Sequence, residues 1–208
     1  SFTKKSCVIL NPVNTENMPQ PYRGQRTKRV VAVGRLFEQK RYDVFIKAFA
    51  TIAERYPEHS LEIYGKGPEE EHLRQLISSL RMEERILLKG EHRNVFDLIW
   101  DAEIFVMSSD YEGLPNALME AMVLGIPCVS TRCSPGGAEE LIDDEKNGLL
   151  VPCGQPEMLA HAIEKLLANP GFAAELGKNA EKLRARTSVR SIANQWIKYF
   201  EEVIQEYR

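Results

Sequence analysis

The chain has 208 residues, enough for one domain with a sizeable core, and its hydrophobic fraction of 43% and charged fraction of 27% are ordinary for a globular domain. The net charge of −3 argues against a nucleic-acid-binding domain, which usually carries clustered basic residues. No apolar run reaches the length of a membrane-spanning helix.

The opening segment, residues 1–28, is predicted to hold a short strand and a loop. Residues 8–10 are a Val-Ile-Leu run, and Asn11-Pro12 is typical of a turn. Residues 14–28 are polar with interspersed Pro and Gly, which predicts a surface loop.

Short apolar runs recur through residues 29–152. They lie at residues 30–33, 61–64, 86–88, 104–107, 128–130 and 148–151. Most are too apolar for a sheet with one face in water, so they indicate strands of a parallel sheet that is covered on both faces.

Amphipathic helical patterns separate these runs. Apolar residues recur at helical spacing within residues 44–56, 73–80 and 159–167. Alternating strands and helices predict βαβ units, and therefore a doubly wound α/β domain with a Rossmann-like parallel sheet. Such sheets bind ligands at the carboxyl ends of their strands, so the loops after the apolar runs are the expected ligand-binding segments.

The tail, residues 153–208, shows helical patterns only. Its last helix is predicted to carry six apolar residues on one stripe: Ile192, Trp196, Tyr199, Phe200, Val203 and Tyr207. The stripe must pack either on the domain's own sheet or on another domain, and the pattern leaves both interpretations open.

The loop after the first run contains Gly34, Arg35 and Lys40. Arg offers a planar fork and Lys a mobile point charge, so the two can grip an anion such as a diphosphate. Gly34 would let a ligand approach the backbone closely. The alternative is that both cations are solvated surface groups.

The loop after the second run, Gly65-Lys66-Gly67-Pro68, resembles the start of a dinucleotide fingerprint. The third glycine of that fingerprint would fall at Glu70, between Glu69 and Glu71. Three carboxylates suit a helix N-terminus but repel a phosphate there, so the pattern favours a turn into a capped helix and disfavours NAD.

The third loop, residues 89–94, could hold a nucleobase through its backbone or be a plain connector. Its histidine, His92, is interpreted as a solvated residue rather than a catalyst.

The fourth loop runs from Ser108 into a helix and carries two glutamates, Glu112 and Glu120. On one helix they would lie about 12 Å apart on different faces, so they do not form an acid/base pair. They suit two separate hydroxyl-binding carboxylates with an anion-binding helix N-terminus between them. Pro115 is expected in the first helical turn, and Gly113 is expected to take an unusual backbone angle. In the alternative, both glutamates are surface or helix-dipole residues.

The fifth loop contains Pro135-Gly136-Gly137, a flexible turn that either closes over a ligand or only connects. No catalytic triad and no metal-ligand spacing is visible in the sequence, so we expect neither a metal nor a cofactor. The four cysteines form no C-x-x-C pair, and Cys128 is interpreted as a buried hydrophobe, which is consistent with a cytoplasmic protein.

In combination, these loops resemble family 4 of the retaining glycosyltransferases, which have the two-Rossmann-domain GT-B architecture. The resemblance runs from about residue 8 to the end, and one motif alone would not carry it. The matching segments are residues 9–14, 33–36 with Lys40, 64–68, the E-x7-E motif from Glu112 to Glu120 with Ala121 and Met122, 125–127, Gly136-Gly137 with Glu140, and 147–152.

The resemblance implies a role for each matching residue. Arg35 and Lys40, with Gly34, would hold the diphosphate of a nucleotide-sugar, Glu112 would face the donor sugar, and Glu120 would bind the ribose hydroxyls. The backbone between the two glutamates would help to bind sugar and phosphate, at Gly113, Leu114, Pro115, Asn116 and Leu118. The nucleobase would lie against the third loop, at Lys89, Gly90, Glu91 and Arg93.

The resemblance also implies what the whole enzyme does. The chain, residues 1–208, would be the C-terminal donor-binding half, and the N-terminal acceptor domain would be absent. The enzyme would transfer a hexosyl or HexNAc unit, from UDP by family frequency with ADP or GDP open, to a glycan or lipid-linked acceptor. It would retain the anomeric configuration and need no metal. We expect the fragment alone to be inactive and the stripe of the last helix to face the missing domain.

Two departures from the family pattern stand out. Arg41 follows Lys40 where a glycine is frequent, and Pro115 replaces another frequent glycine, in a form similar to capsule and lipopolysaccharide transferases. Peripheral association of the whole enzyme with the inner face of a membrane is a separate expectation, and it would involve the missing half. Two other functions remain as alternatives: an oxidoreductase cofactor domain, for which only Gly34 of the fingerprint is in place, and an interaction module that binds no nucleotide.

Overall fold

The computed structural model describes residues 7–206, and a six-stranded parallel sheet lies at its centre. The strands are β1 (Thr27–Val33), β2 (Ser60–Tyr64), β3 (Ile86–Gly90), β4 (Ala102–Met107), β5 (Cys128–Thr131) and β6 (Leu149–Val151). Their order is β3-β2-β1-β4-β5-β6, and every neighbouring pair is parallel. The predicted doubly wound, Rossmann-like fold is confirmed.

Helices cover both faces of this sheet. They are α1 (Tyr42–Ile52), α2 (Glu70–Ser79), α3 (Val95–Ile99), α4 (Asn116–Val123), α5 (Gly137–Leu141), α6 (Pro156–Ala168), α7 (Pro170–Ala180), α8 (Leu183–Arg186) and α9 (Val189–Glu206). Successive side chains of a strand point to opposite faces, so Val30 and Ala32 lie in one core while Val31 lies in the other. This double burial explains why the strands appear as continuous apolar runs.

The strand order reverses between β1 and β4. The chain leaves β1 toward β2 on one side and leaves β4 toward β5 on the other, so the loops that follow these neighbouring strands diverge. A crevice at the carboxyl ends of the two strands is the ligand site expected of doubly wound sheets.

The opening segment corrects one prediction, because residues 8–10 do not form a strand. Val8 is exposed, and Val13 donates its backbone N–H to the Thr187 carbonyl, so this segment lies against the tail rather than along a sheet edge. The predicted loop at 14–28 contains a 3-10 turn (Thr15–Asn17), and β1 starts within it. The helix α3 was not predicted, because five residues are too few for a helical period to be visible.

The tail is helical, as predicted, and the stripe on α9 is unevenly covered. Ile192 is buried, whereas the rings of Trp196 and Phe200 stack 5.5 Å apart with about half of each residue exposed. Tyr207 lies outside the described residues. Packing on a further domain stays a prediction. Among the helices of residues 7–206, none combines the length and apolar character that a membrane crossing requires.

Candidate functional site

A cavity of about 370 Å³ opens at the switch point between β1 and β4. Most of the predicted donor-binding residues line it: Gly34, Arg35, Lys40, Glu112, Leu114, Pro115, Asn116 and Glu120. Two loops that are about 70 residues apart in sequence thus meet because their strands are neighbours.

Arg35 is the exposed cation of this cavity. Its guanidinium lies 4.9 Å from the centre of the Phe37 ring, a cation–π arrangement that leaves its N–H donors available. It forms no ion pair with a carboxylate of the described segment. The group is therefore suited to bind an anion.

Gly34 is required by close packing at the end of β1. A Cβ at this position would come within 2.9 Å of the Tyr42 hydroxyl and 3.4 Å of the Lys40 Cε. Tyr42 is buried, and burial raises the pKa of its phenol. A side chain at position 34 would therefore force the Tyr42 hydroxyl to shift, whereas the flexible Lys40 side chain could accommodate it.

Lys40 and Glu112 form an ion pair with each other. The family resemblance implies that they bind different parts of a ligand, but in the structure each satisfies the other. Their side chains are only 19% and 13% exposed, so the attraction is little screened by water. A diphosphate at Lys40 would have to compete with Glu112 for its ammonium group.

The loop that carries Glu112 is held by its neighbour from β5. The Glu112 backbone N–H donates to the Ser134 carbonyl at 2.8 Å, and a Cβ on Gly137 would lie 1.4 Å from the Gly113 carbonyl oxygen. Only a glycine at position 137 permits this contact, so the Pro-Gly-Gly turn serves to position the Glu112 loop.

Two expectations for this loop were wrong. Helix α4 starts at Asn116, with Pro115 before it in an extended conformation (φ −77°, ψ 96°) rather than in the first turn. Gly113 is not among the residues of positive φ, whereas Gly136 is, with φ 106°. The unusual backbone angle therefore lies in the opposing turn, where the chain reverses into α5.

Glu120 lies one turn into α4, half-buried at the cavity wall. Burial raises the pKa of its carboxyl to about 7, and no charged group of the described residues offsets this effect. Glu120 is therefore poised to accept hydroxyl hydrogen bonds once it is ionised. Leu118, by contrast, is completely buried in the core, and neither it nor Gly113 lines the cavity.

A second cavity of about 230 Å³ adjoins the first and shares Val33, Gly34 and Arg35 with it. Its remaining lining is Tyr64, Gly65, Lys66, Glu91, His92 and Val95. A Cβ on Gly65 would lie 1.9 Å from the Gly34 carbonyl oxygen, so glycine there lets the second loop close against the first. Together the two cavities make an elongated site.

The predicted nucleobase loop contributes only part of this second cavity. Glu91 lines it, and so does His92, which is exposed and places its Nε2 2.9 Å from the Lys89 carbonyl oxygen. Lys89 and Gly90 belong to β3 instead, where the Lys89 ammonium lies 3.8 Å from Glu62. Arg93 is exposed and does not line the cavity.

Several residues that line the first cavity were not predicted, among them Tyr42, Ser108 and Ser109. The serines had a signal: they are the first polar residues after the apolar run of β4. Tyr42 had none, because its spacing matches the core face of α1.

A larger cleft of about 780 Å³ lies on the other side of the 37–43 segment. Its arginine, Arg41, is already paired with Asp43 at 3.0 Å and Asp110 at 2.8 Å, so this cleft offers less uncompensated charge. Within residues 7–206, no group of three or more His, Cys, Asp or Glu side chains is placed to hold a metal ion.

The family model for glycosyl transferases group 1 matches residues 13–183 of the chain. The chain belongs to this family. Among similar proteins, the "putative colanic acid biosynthesis glycosyltransferase WcaL" of Escherichia coli is 35% identical over 72% of this chain and 38% of its own length. The N-acetylgalactosamine-N,N'-diacetylbacillosaminyl-diphospho-undecaprenol 4-alpha-N-acetylgalactosaminyltransferase of Campylobacter jejuni is 30% identical over 96% of the chain and 54% of its own length.

Solved structures agree with this assignment. A point mutant of TarM from S. aureus, crystallised with Fondaparinux, alpha-GlcNAc-glycerol and UDP, superposes with a TM-score of 0.83 at 28% identity, over 93% of this chain and 39% of that one. The fold is thus that of a group 1, GT-B-type glycosyltransferase domain. The chain spans about half, or less, of the length of the relatives named here.

Proposed function

We propose that this chain is the donor-binding domain of a family 4, retaining glycosyltransferase, and that it binds a UDP-sugar. The observation that carries the proposal is the pair of adjoining cavities at the switch point, which share Gly34 and Arg35. An elongated site with a cation at its middle and a carboxylate in its wall has the layout of a nucleotide-sugar.

Each part of the donor has a candidate partner. Arg35 and Lys40 would bind the diphosphate, with the N-terminus of α4 adding backbone N–H donors. Glu120 would accept hydrogen bonds from the ribose hydroxyls, and Glu112 from the sugar. The nucleobase would enter the second cavity beside Glu91 and His92. No metal is needed, because the two cations neutralise the diphosphate.

The relatives support the finer assignment. The E. coli protein is named for colanic acid biosynthesis, the Campylobacter protein for a diphospho-undecaprenol acceptor, and TarM was crystallised with UDP. By analogy, the whole enzyme would transfer a hexosyl or HexNAc unit to a glycan or lipid-linked saccharide. A lipid-linked acceptor would bring the cytoplasmic enzyme to the inner face of a membrane.

The acceptor site would lie on a second domain. Relatives extend to about twice this length or more, and a complementary half would close over the crevice, with the exposed Trp196–Phe200 face of α9 available for contact. The 208 residues alone would then bind donor but transfer nothing.

Isothermal titration of the chain with UDP, GDP and ADP tests the proposal. We expect UDP to bind most tightly, and Lys40→Ala to weaken it about tenfold through loss of a charge-assisted hydrogen bond. Lys47→Ala removes a lysine that pairs with Asp43 on the surface of α1, and it should leave the affinity unchanged. Absence of binding by all three nucleotides, to this chain and to the full-length enzyme, would refute the donor site.

A further inference from the structure

Two serines, Ser108 and Ser109, follow β4 at the floor of the first cavity, and each is only 1% exposed. Their hydroxyls serve different residues. The Ser108 hydroxyl donates to the Lys40 backbone carbonyl at 2.7 Å, and the Ser109 hydroxyl donates to the Glu112 carboxylate at 3.0 Å. The Ser108 hydroxyl therefore fixes the backbone of Lys40, whereas the Ser109 hydroxyl binds the Glu112 carboxylate directly.

The Ser109 backbone is itself fixed by the sheet. The Thr131 hydroxyl, at the end of β5 and 1% exposed, donates to the Ser109 carbonyl oxygen. The Cys153 thiol lies 3.6 Å from the same oxygen. The Ser109 backbone, which carries the hydroxyl, is thus anchored by a buried threonine hydroxyl and a half-buried thiol.

The two partners of the Glu112 carboxylate differ in how firmly they are held. Lys40 reaches the carboxylate through a long, flexible side chain, and its ammonium group also suits a phosphate. Ser109 has a short side chain on a buried backbone. When an anion attracts Lys40, Ser109 remains as the fixed donor to Glu112.

We propose that Ser109 is a positioning residue that keeps the Glu112 carboxylate directed at the donor sugar after Lys40 has turned to the diphosphate. The inference rests on the proposed function, since it assumes a nucleotide-sugar in this cavity. A glutamate side chain loses conformational entropy when it is fixed in one rotamer. A hydrogen bond that exists before binding reduces the part of this loss that falls on the binding step.

The readout is the sugar-dependent part of donor affinity. Titrations would compare UDP with UDP-glucose, UDP-galactose and UDP-GlcNAc. The gain of a UDP-sugar is the factor by which it binds more tightly than UDP, and the test would use the UDP-sugar whose gain falls most in Glu112→Ala. In Ser109→Ala we expect that gain to fall about tenfold while UDP affinity changes less than about twofold. Ser109→Thr, which keeps the hydroxyl, should restore the gain.

Ser108→Ala is the matched control, because it removes an equally buried hydroxyl from the adjacent position. It loosens the Lys40 backbone, so we expect UDP and the UDP-sugar to weaken by the same factor. Urea unfolding of each variant would establish that the titrated protein is folded.

Three results would overturn the inference. One is an equal loss of UDP and UDP-sugar affinity in Ser109→Ala, and another is no loss of either. The third is a further fall of the gain when Ser109→Ala is added to Glu112→Ala, because a residue that acts through Glu112 has no effect without it. A UDP-sugar gain of zero in the unaltered chain would refute the role of Glu112, and the inference with it, while UDP binding would still support the donor site.

Discussion

Arg26 at the amino ends of the parallel sheet differs from Arg35 and Glu120 at its carboxyl ends in how far protein groups satisfy the charge. At the amino ends, the Arg26 guanidinium donates to the backbone carbonyls of Trp100, Ala102 and Gly125, at 3.2, 2.9 and 2.6 Å. At the carboxyl ends, the Arg35 guanidinium lies over the Phe37 ring and Glu120 is half-buried, and neither has an oppositely charged partner within residues 7–206.

Arg26 and Arg35, at opposite ends of the same sheet, therefore have different roles. Arg26 ties the segments before β1, β4 and β5 together, and a satisfied buried group of this kind stabilises the fold. A cation and a carboxylate in a cavity that have no oppositely charged partner among the described residues are placed for a ligand. The comparison predicts that loss of Arg26 reduces stability, whereas loss of Arg35 or Glu120 reduces binding.

The largest expected effect is at Arg26. In Arg26→Ala three part-buried carbonyls lose the guanidinium donor, so we expect the free energy of unfolding to fall by about 3–4 kcal/mol. Urea denaturation followed by circular dichroism would measure it. Arg23→Ala is the control: that arginine is exposed and pairs only with Glu181, so its midpoint should match the unaltered protein. An equal loss of stability in Arg26→Ala and Arg23→Ala would mean that Arg26 acts through its charge rather than through its hydrogen bonds to the carbonyls.

A smaller loss is expected at Gly137, where a substitution should affect both stability and binding. An alanine there would place its Cβ 1.4 Å from the Gly113 carbonyl oxygen and displace the Glu112 loop. We expect about 2 kcal/mol of destabilisation together with weakened UDP-sugar binding. Gly171→Ala, at an open position in α7, should be neutral or slightly stabilising. Normal UDP-sugar affinity in a folded Gly137→Ala protein would show that the turn does not position the loop.

Arg35 tests the opposite side of the comparison. Arg35→Ala should lower UDP affinity about ten- to a hundredfold, because a bidentate contact to the diphosphate is lost, without changing the urea midpoint. Arg132→Ala provides a control at the same sheet edge, since its guanidinium is already paired with Asp144 at 2.8 Å. If stability fell and binding did not, the contrast between the two ends would be wrong.

The smallest expected effect is a pH dependence from Glu120. With its pKa near 7, the carboxyl is mostly protonated at about pH 6 and mostly ionised at about pH 8, so UDP affinity should rise up to about tenfold over this range. The terminal phosphate of UDP also titrates, at about pH 6. The slope of UDP affinity against pH in Glu120→Gln therefore measures the contribution of UDP itself. Titration calorimetry at several pH values would measure both. Identical slopes in the two proteins would exclude Glu120 as the source.

The raised pKa of the Glu120 carboxyl also predicts how the free energy of unfolding changes with pH. Its folded pKa of about 7 lies above the ordinary value of 4.5, so the folded state binds a proton that the unfolded state has released between these values. The contribution of Glu120 to stability is therefore present below pH 4.5 and is lost as the pH rises toward 7. In Glu120→Gln the unfolding free energy should fall less steeply over this interval.

The fold was predictable because double burial leaves a strong pattern. Each strand of the 29–152 core appears as an apolar run, and the carboxyl-end rule then directs attention to Arg35, Lys40, Glu112 and Glu120, all of which line one cavity. Residues 8–10 do not follow this pattern. Their composition suits a strand, but a strand forms only where the folded chain leaves a sheet edge free to pair with it.

Contacts between site residues could not be predicted from the sequence either. Nothing in the spacing of Lys40 and Glu112 indicates that they contact each other, because that contact depends on how two loops fold back across the switch point. The same holds for Tyr42, whose helical position signals core packing. Ser109 is intermediate, since its place after β4 was visible but its bond to Glu112 was not.

Arg41 shows how a turn can be specified without glycine. Its φ of 49° and ψ of 43° lie in the left-handed region, which costs a non-glycine residue about 1 kcal/mol or more. The arginine offsets this strain through its contacts with Asp43 and Asp110, which glycine cannot make. Glycine would adopt the turn readily but would also leave the unfolded chain more conformations. The same backbone geometry can thus be encoded either by flexibility or by strain held in place with charge, and sequence comparison at this position should expect both solutions.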